Sequence, residues 1–123
     1  MLFRSRIILE RNNAVCPKCG CYMRLHAKKR ISMLADKDSF HEWDKGLRWS
    51  NPLNDEKYGK KSIELSSKHK LDDAVITGEM LIDGVRVAIG VMDTRYMMAS
   101  LGYVVGEKVT RLFEKALDRK SVV

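Results

Sequence analysis

The dipeptide Asp83-Gly84 constrains this chain more than any other feature. Both residue types tolerate the positive φ that a two-residue hairpin turn demands. Apolar, β-prone runs flank it, residues 74–77 and 80–82 before and 85–91 after. The pattern predicts two antiparallel strands joined by a tight turn. Val85, Val87, Ile89 and Val91 alternate and should share one face. Gly90 interrupts the second strand and predicts either a bulge or the close approach of another group.

Beyond Asp93 comes a turn-like stretch, residues 94–102, and then a helix over about 103–117. Val105, Val109, Leu112 and Ala116 recur at helical spacing and form the apolar stripe of a packed helix. Gly106 costs that helix stability, so something is expected to pack closely against it. A hairpin and one helix can hardly bury an independent core. The unit therefore reads as the opening of a larger α/β domain, poorly folded by itself.

The first seventy residues differ in character. Cys16-Pro17-Lys18-Cys19-Gly20 is a knuckle in which Pro17 fixes φ and Gly20 can turn the chain left-handed after the second thiolate. A helix is expected over 26–35, with Ala27, Ile31, Leu34 and Ala35 on one face. A short amphipathic segment holds Phe40 and Trp43, residues 47–53 read as a loop marked by Asn51-Pro52, and the Lys-rich stretch 54–70 reads as a solvated helix or linker.

Cysteine usage is confined to Cys16, Cys19 and Cys21, a cluster in an otherwise Cys-free chain. A secreted disulfide framework would spread an even number along the chain, so this cluster points to metal chemistry. Cys16 and Cys19 stand at metal-ligand spacing, but structural zinc needs four ligands. Cys21 is a poor third ligand, and His26 is a possible one, though a lone His on a helix is more often a surface residue. The motif reads as half of a zinc ribbon, with thiol redox chemistry or simple packing as alternatives. No βαβ pattern surrounds it, which disfavours a thioredoxin-like role.

Net charge is +7 over 123 residues. Lys18, Arg24, Lys28, Lys29 and Arg30 run without an intervening acid and invite a nucleic-acid or acidic-partner reading. No aromatic stripe for stacking bases accompanies them, so charge alone does not make a nucleic-acid binder. No apolar run of membrane-spanning length occurs. The N-terminal apolar stretch is too short for a signal peptide, and a cytoplasmic-type compartment is the default.

Both ends read as translated sequencing-adapter DNA. Codons GTG CTC TTC CGA TCT specify residues 1–5, with GTG as a start, and GAT CGG AAG AGC GTC GTG specify residues 118–123. The expectation is that neither end is biological.

Residues 97–108 are the second candidate site. Small residues between a strand and a helix let backbone N–H groups approach an anion at the helix N-terminus. The alternative is a plain connection with Met97, Met98 and Leu101 in the core, and composition alone favours it. No Ser/His/Asp set, Walker loop or telling carboxylate pair is present. His41, Glu42 and Asp44 read as solvated surface.

Taken together, these segments resemble a known family. Leu9-Glu10-Arg11-Asn12, Val15-Cys16-Pro17-Lys18-Cys19-Gly20 and Met23-Arg24-Leu25 resemble the zinc ribbon of the carboxyltransferase β subunit of acetyl-CoA carboxylase. Residues 36–40 resemble its acidic-Gly-Ser-Phe turn, with Asp38 in place of the glycine. Asn51-Pro52-Leu53 and Lys57-Tyr58 resemble its linker, and Asp73-Ala74-Val75 with Gly84 its first hairpin. Gly102 and Val104-Val105-Gly106-Glu107-Lys108 resemble its glycine-rich segment and helix.

The resemblance implies a fold of partial zinc ribbon (6–25), helical linker (26–70) and the opening ββα of a crotonase-like α/β domain (71–117). It implies transfer of a carboxyl group from carboxybiotin to acetyl-CoA, giving malonyl-CoA for fatty-acid synthesis. Backbone N–H groups would stabilise the enolate and carboxybiotin oxyanions. Implied cofactors are zinc, through Cys16 and Cys19 as half a site, and biotin carried on a partner. Implied partners are the carboxyltransferase α subunit and the biotin carboxyl carrier protein, in a bacterial cytoplasm or plastid stroma. The acyl-CoA would lie near Met98, Ala99, Ser100 and Gly102. Met98 and Ala99 stand where the family has glycines, the first Cys pair of the ribbon is absent, and the family's later oxyanion loop lies beyond residue 117. The chain is therefore expected to be inactive alone. Propionyl-CoA carboxylases share the domain, but the knuckle favours the acetyl-CoA type.

Overall fold

In the computed structural model, which describes residues 6–48 and 50–123, the hairpin forms as expected. Strand β2 (Val75–Ile82) pairs antiparallel with β3 (Val85–Met92), in continuous register from Val75 opposite Met92 to Ile82 opposite Val85. Asp83 and Gly84 both take positive φ, 50° and 79°. The turn is also clamped from outside, because the Asp36 carboxylate accepts the backbone N–H groups of Asp83 (3.1 Å) and Gly84 (2.8 Å). The two apolar runs read as separate before the turn are one strand.

The segment holding Phe40 and Trp43 is a strand, β1 (His41–Trp43), which adds to the free edge of β2 with His41 opposite Glu79 and Trp43 opposite Thr77. The sheet order is β1-β2-β3. Gly78 makes this possible, since a Cβ there would meet Phe40 Cε2 at 2.7 Å. Gly90 shows the close approach rather than the bulge: a Cβ would lie 3.1 Å from Leu112 Cδ2.

Among the described residues four α-helices accompany the sheet: α1 (Arg6–Arg11), α2 (Ala27–Leu34), α3 (Glu56–His69) and α4 (Tyr103–Asp118). Asp55 starts α3 by accepting the Tyr58 N–H at 2.9 Å, and left-handed Lys70 ends it. Helix α4 lays Val105, Leu112 and Ala116 into the interior, with Val109 half-buried. Nothing lies within 4 Å of where a Cβ on Gly106 would be, so the expected close packing there is absent.

One core gathers Ala27 and Ile31 of α2, Val75, Ile76 and Met80 of β2, Val91, Tyr96 and Val105. A smaller cluster holds Trp43, Ala88, Leu112 and Ala116. Leu34, assigned to the buried face of α2, is exposed. The Val85-to-Val91 alternation is also incomplete: Val85 is exposed at the turn, and Ala88 on the other face is buried beneath α4. Asp44 is not free surface. Its carboxylate pairs with Lys115 (2.8 Å) and Arg111 (3.3 Å) of α4, while Lys115 and Arg119 both sit 5.3 Å from the Trp43 ring centre. Burial works to raise the Asp44 pKa, but the two cations outweigh it and hold it below the ordinary value.

The expectation for residues 1–5 falls outside the described residues. Residues 118–123 close against the sheet, where the Ala88 N–H donates to the Val122 carbonyl at 2.7 Å. No helix among the described residues is long and apolar enough to cross a membrane.

Candidate functional site

The loop between β3 and α4 is built around a backbone conformation that its sequence does not advertise. Met97, Met98 and Ala99 all adopt positive φ, at 43°, 56° and 60°. For L-residues each left-handed conformer costs about 1 kcal/mol or more, and it persists where neighbours over-determine it. The turn closes through the Ala99 N–H donating to the Tyr96 carbonyl (2.8 Å) and the Ser100 N–H to the Met97 carbonyl (3.1 Å).

Two anchors precede it. The Asp93 carboxylate is 1% exposed and takes four hydrogen bonds. Oδ2 accepts from the Ala27 N–H (3.0 Å) and Arg95 Nη2 (2.7 Å), and Oδ1 from Arg95 Nε (2.9 Å) and the Arg95 N–H (3.0 Å). Burial pushes this carboxyl up, but the hydrogen bonds from Arg95 and Ala27 prevail and hold its pKa at about 2. Tyr96, also 1% exposed, hydrogen-bonds through its hydroxyl to Ser62 of α3. Desolvation raises the Tyr96 pKa.

After the turn the chain opens to solvent. Met98, Leu101 and Tyr103 are exposed, so the reading of Met98 and Leu101 as core residues is overturned, while Met97 remains packed against the core. Gly102 is the N-cap of α4 and offers no side chain to it, and nothing lies within 4 Å of where its Cβ would be. The first N–H groups of a helix lack intrahelical acceptors and sit at the positive end of its dipole. Met98, Ala99, Ser100 and Gly102 are thus brought together on one exposed turn leading into α4.

The cysteine knuckle folds as a small hairpin. Val15 bridges Tyr22, the Gly20 N–H donates to the Cys16 carbonyl (2.8 Å), and the Cys16 N–H to the Cys21 carbonyl (2.9 Å). Gly20 takes φ 69°, as its position after the second thiolate requires. Cys16 is buried, and Cys19 and Cys21 are exposed. Among the described residues no group of three or more His, Cys, Asp or Glu side chains could hold a metal. The two thiolates at Cys-x-x-Cys spacing suit zinc in kind but not in number, so the described donors do not complete a tetrahedral site. Lys18, Arg24, Lys28, Lys29 and Arg30 are all exposed, and Lys28 donates to the Lys70 carbonyl at 3.2 Å.

Sequence reasoning located the turn but missed its anchors. In the sequence Asp93 only precedes the turn-like stretch, and Tyr96 is only one residue of it. Only their burial in the structure marks them. The left-handed backbone does have a sequence signal in the resemblance. Asp38, Met98 and Ala99 stand where the resembling family carries glycine, and all three adopt positive φ.

No protein-family model matches the chain. It is 44% identical over 110 residues to the acetyl-coenzyme A carboxylase carboxyl transferase subunit beta of Clostridium botulinum strain Kyoto, covering 89% of this chain and 38% of the relative. The same subunit of strain Loch Maree is 42% identical over 110 residues. Among solved structures, the transcarboxylase 12S with methylmalonyl-coenzyme A and methylmalonic acid bound superposes with TM-score 0.60 at 25% identity, covering 78% of this chain and 17% of that one. A second 12S structure, with hydrolysed methylmalonyl-coenzyme A, gives TM-score 0.61 at 24% identity. Over 89% of its length the chain is similar to acetyl-CoA carboxylase carboxyltransferase β subunits, and it spans 38% of the length of the curated relative it matches at 44% identity.

Proposed function

We propose that this chain forms the acyl-CoA-contacting part of a carboxyltransferase β subunit, in which a carboxyl group passes from carboxybiotin to acetyl-CoA to give malonyl-CoA. The observation that carries the reading is the run of three left-handed residues, 97–99, feeding an exposed, side-chain-free N-cap at Gly102. That shape turns the chain into α4 with no capping side chain in the way, which leaves the first N–H groups of the helix to a ligand's acceptor oxygens. Met98, Ala99, Ser100 and Gly102 line the approach. The crotonase-like ββα reading rests on the β2-β3-α4 order and on the likeness to the transcarboxylase 12S.

Cys16 and Cys19 are the proposed zinc thiolates, two of the four that a structural site requires. A bound zinc would fix the knuckle's turn, and no step of the transfer is assigned to it. The partners proposed are a carboxyltransferase α subunit and a biotin carboxyl carrier protein, and the compartment a bacterial cytoplasm or plastid stroma. Segments 6–25, 26–70 and 71–117, between adapter-encoded ends, are the proposed division of the chain. Genomic sequence encoding residues 1–5 and 118–123 would remove the adapter part of it.

Calorimetric titration of acetyl-CoA into the chain tests the site, with Gly102→Ala as the diagnostic variant. At φ −100° the alanine is accommodated, and losing the Gly N-cap should change stability by less than about 1 kcal/mol. Its methyl would project into the approach, so acetyl-CoA affinity should fall about tenfold, a loss of about 1.4 kcal/mol. Equal affinity for both proteins would contradict the reading. Salt-sensitive binding of a random duplex, unaffected by acetyl-CoA, would favour a nucleic-acid module built on the basic knuckle instead.

A further inference from the structure

We infer that Asp93 is a positioning residue that makes helix α2 part of the support of the acyl-CoA turn, an inference that rests on the reading of residues 97–102 given above. Helix α2 has no local cap: its N-cap residue, His26, makes no side-chain capping bond. The acceptor comes instead from Asp93, 66 residues later, whose Oδ2 takes the Ala27 N–H at 3.0 Å. A carboxylate at a helix N-terminus is favoured by the macrodipole, and here it is shielded from water at 1% exposure.

The same carboxylate reaches forward as well. Arg95 grips it with Nε, Nη2 and its own backbone N–H, which sets the chain's direction as it leaves β3. The Asp93 backbone is used in full: its N–H donates to the Ala74 carbonyl (2.7 Å) and its carbonyl accepts from the Tyr96 N–H (3.2 Å). Tyr96 in turn supplies the carbonyl that closes the left-handed turn onto Ala99 (2.8 Å). A path of hydrogen bonds joined by Asp93 itself thus runs from the first turn of α2, through its side chain and then its backbone carbonyl, to the residue on which the turn folds. The knuckle precedes α2 directly in sequence, so whatever orders residues 16–26 is mechanically joined to the turn.

A residue that merely stabilised the fold would, when altered, loosen the whole domain. A positioning residue should loosen its two ends selectively and weaken ligand binding in a protein that remains folded. Amide hydrogen exchange of the 123-residue chain, without ligand, separates these cases. Asp93→Asn replaces the carboxylate with a neutral amide, which weakens the acceptor that caps Ala27 and removes the charge that Arg95 grips. Exchange should quicken at both 27–31 and 97–106 while β2 and β3 keep wild-type protection. Acetyl-CoA affinity should fall about tenfold, as expected when a hydrogen bond to a charged group is lost. If Asp93→Asn proves unfolded, Arg95→Gln removes the same grip from a partly exposed position and should give the same two-ended pattern. Faster exchange at one end only, or uniformly over the sheet, would overturn the inference. Failure of wild-type protein to bind acetyl-CoA would instead remove the acyl-CoA reading, and with it the assigned purpose of the linkage, while the two-ended exchange pattern would still report the linkage itself.

Discussion

Gly78 lies so close under Phe40 that a Cβ on it would meet the ring's Cε2 at 2.7 Å and its Cζ at 3.0 Å. The same Cβ would press on the His41 carbonyl, which belongs to the pairing of β1 with β2. Backbone cannot swing aside as a flexible side chain can. Gly78→Ala should therefore destabilise the chain by about 2 kcal/mol or more, with loss of β1 pairing. Gly90→Ala should cost less, because its nearest contact is the end of the Leu112 side chain at 3.1 Å. Urea denaturation of the two variants measures the difference, and equal costs would contradict the edge-strand account.

Ala99 occupies φ 60°, where a Cβ is a liability. Ala99→Gly removes that strain at the expense of a more flexible unfolded chain. The two effects oppose, and relief of a left-handed Cβ is the larger. The variant should be more stable by about 0.5–1 kcal/mol, read as a higher denaturation midpoint with an unchanged slope. A lower midpoint would mean that the left-handed turn is not populated in solution.

Acid should expose the Asp93 linkage. The folded carboxyl has a pKa of about 2, against a reference value of 3.8. The folded state therefore binds this proton more weakly than the unfolded state. The stabilisation is complete above the reference value and is lost as pH falls toward about 2. That depression corresponds to about 2 kcal/mol. Asp73 works in the opposite direction, because desolvation raises its pKa. Comparing wild type with Asp93→Asn isolates the Asp93 contribution: their stability gap should be widest at neutral pH and close between about pH 4 and pH 2. A gap that does not change with pH would contradict the charged hydrogen-bond network.

The hairpin and α4 were legible in the sequence because local signals and tertiary packing agree there. Asp83-Gly84 demands a tight turn, and the Val105, Leu112 and Ala116 stripe demands a covered face. The strand at His41–Trp43 was not legible, since three residues are too few to show a period and β1 forms only because Gly78 lets it approach. Gly106 misled in the opposite sense, as its expected neighbour is absent. At the candidate site the resemblance singles out residues 98–102 through glycines that Met98 and Ala99 replace, and those two positions are the ones that take positive φ. It could not reveal Asp93 or Tyr96. Their roles depend on partners in α2 and α3, far away in the chain, and no periodicity encodes such contacts.

The central claim is that acyl-CoA lies against the turn leading into α4. It is tested most directly by photo-crosslinking the chain with a benzophenone-bearing acyl-CoA analogue and mapping the labelled residues, with excess acetyl-CoA as competitor. The account predicts labels confined to residues 97–106 and suppressed by acetyl-CoA. Competed labels concentrated instead on the basic knuckle around Lys18, Arg24 and Lys29 would contradict it.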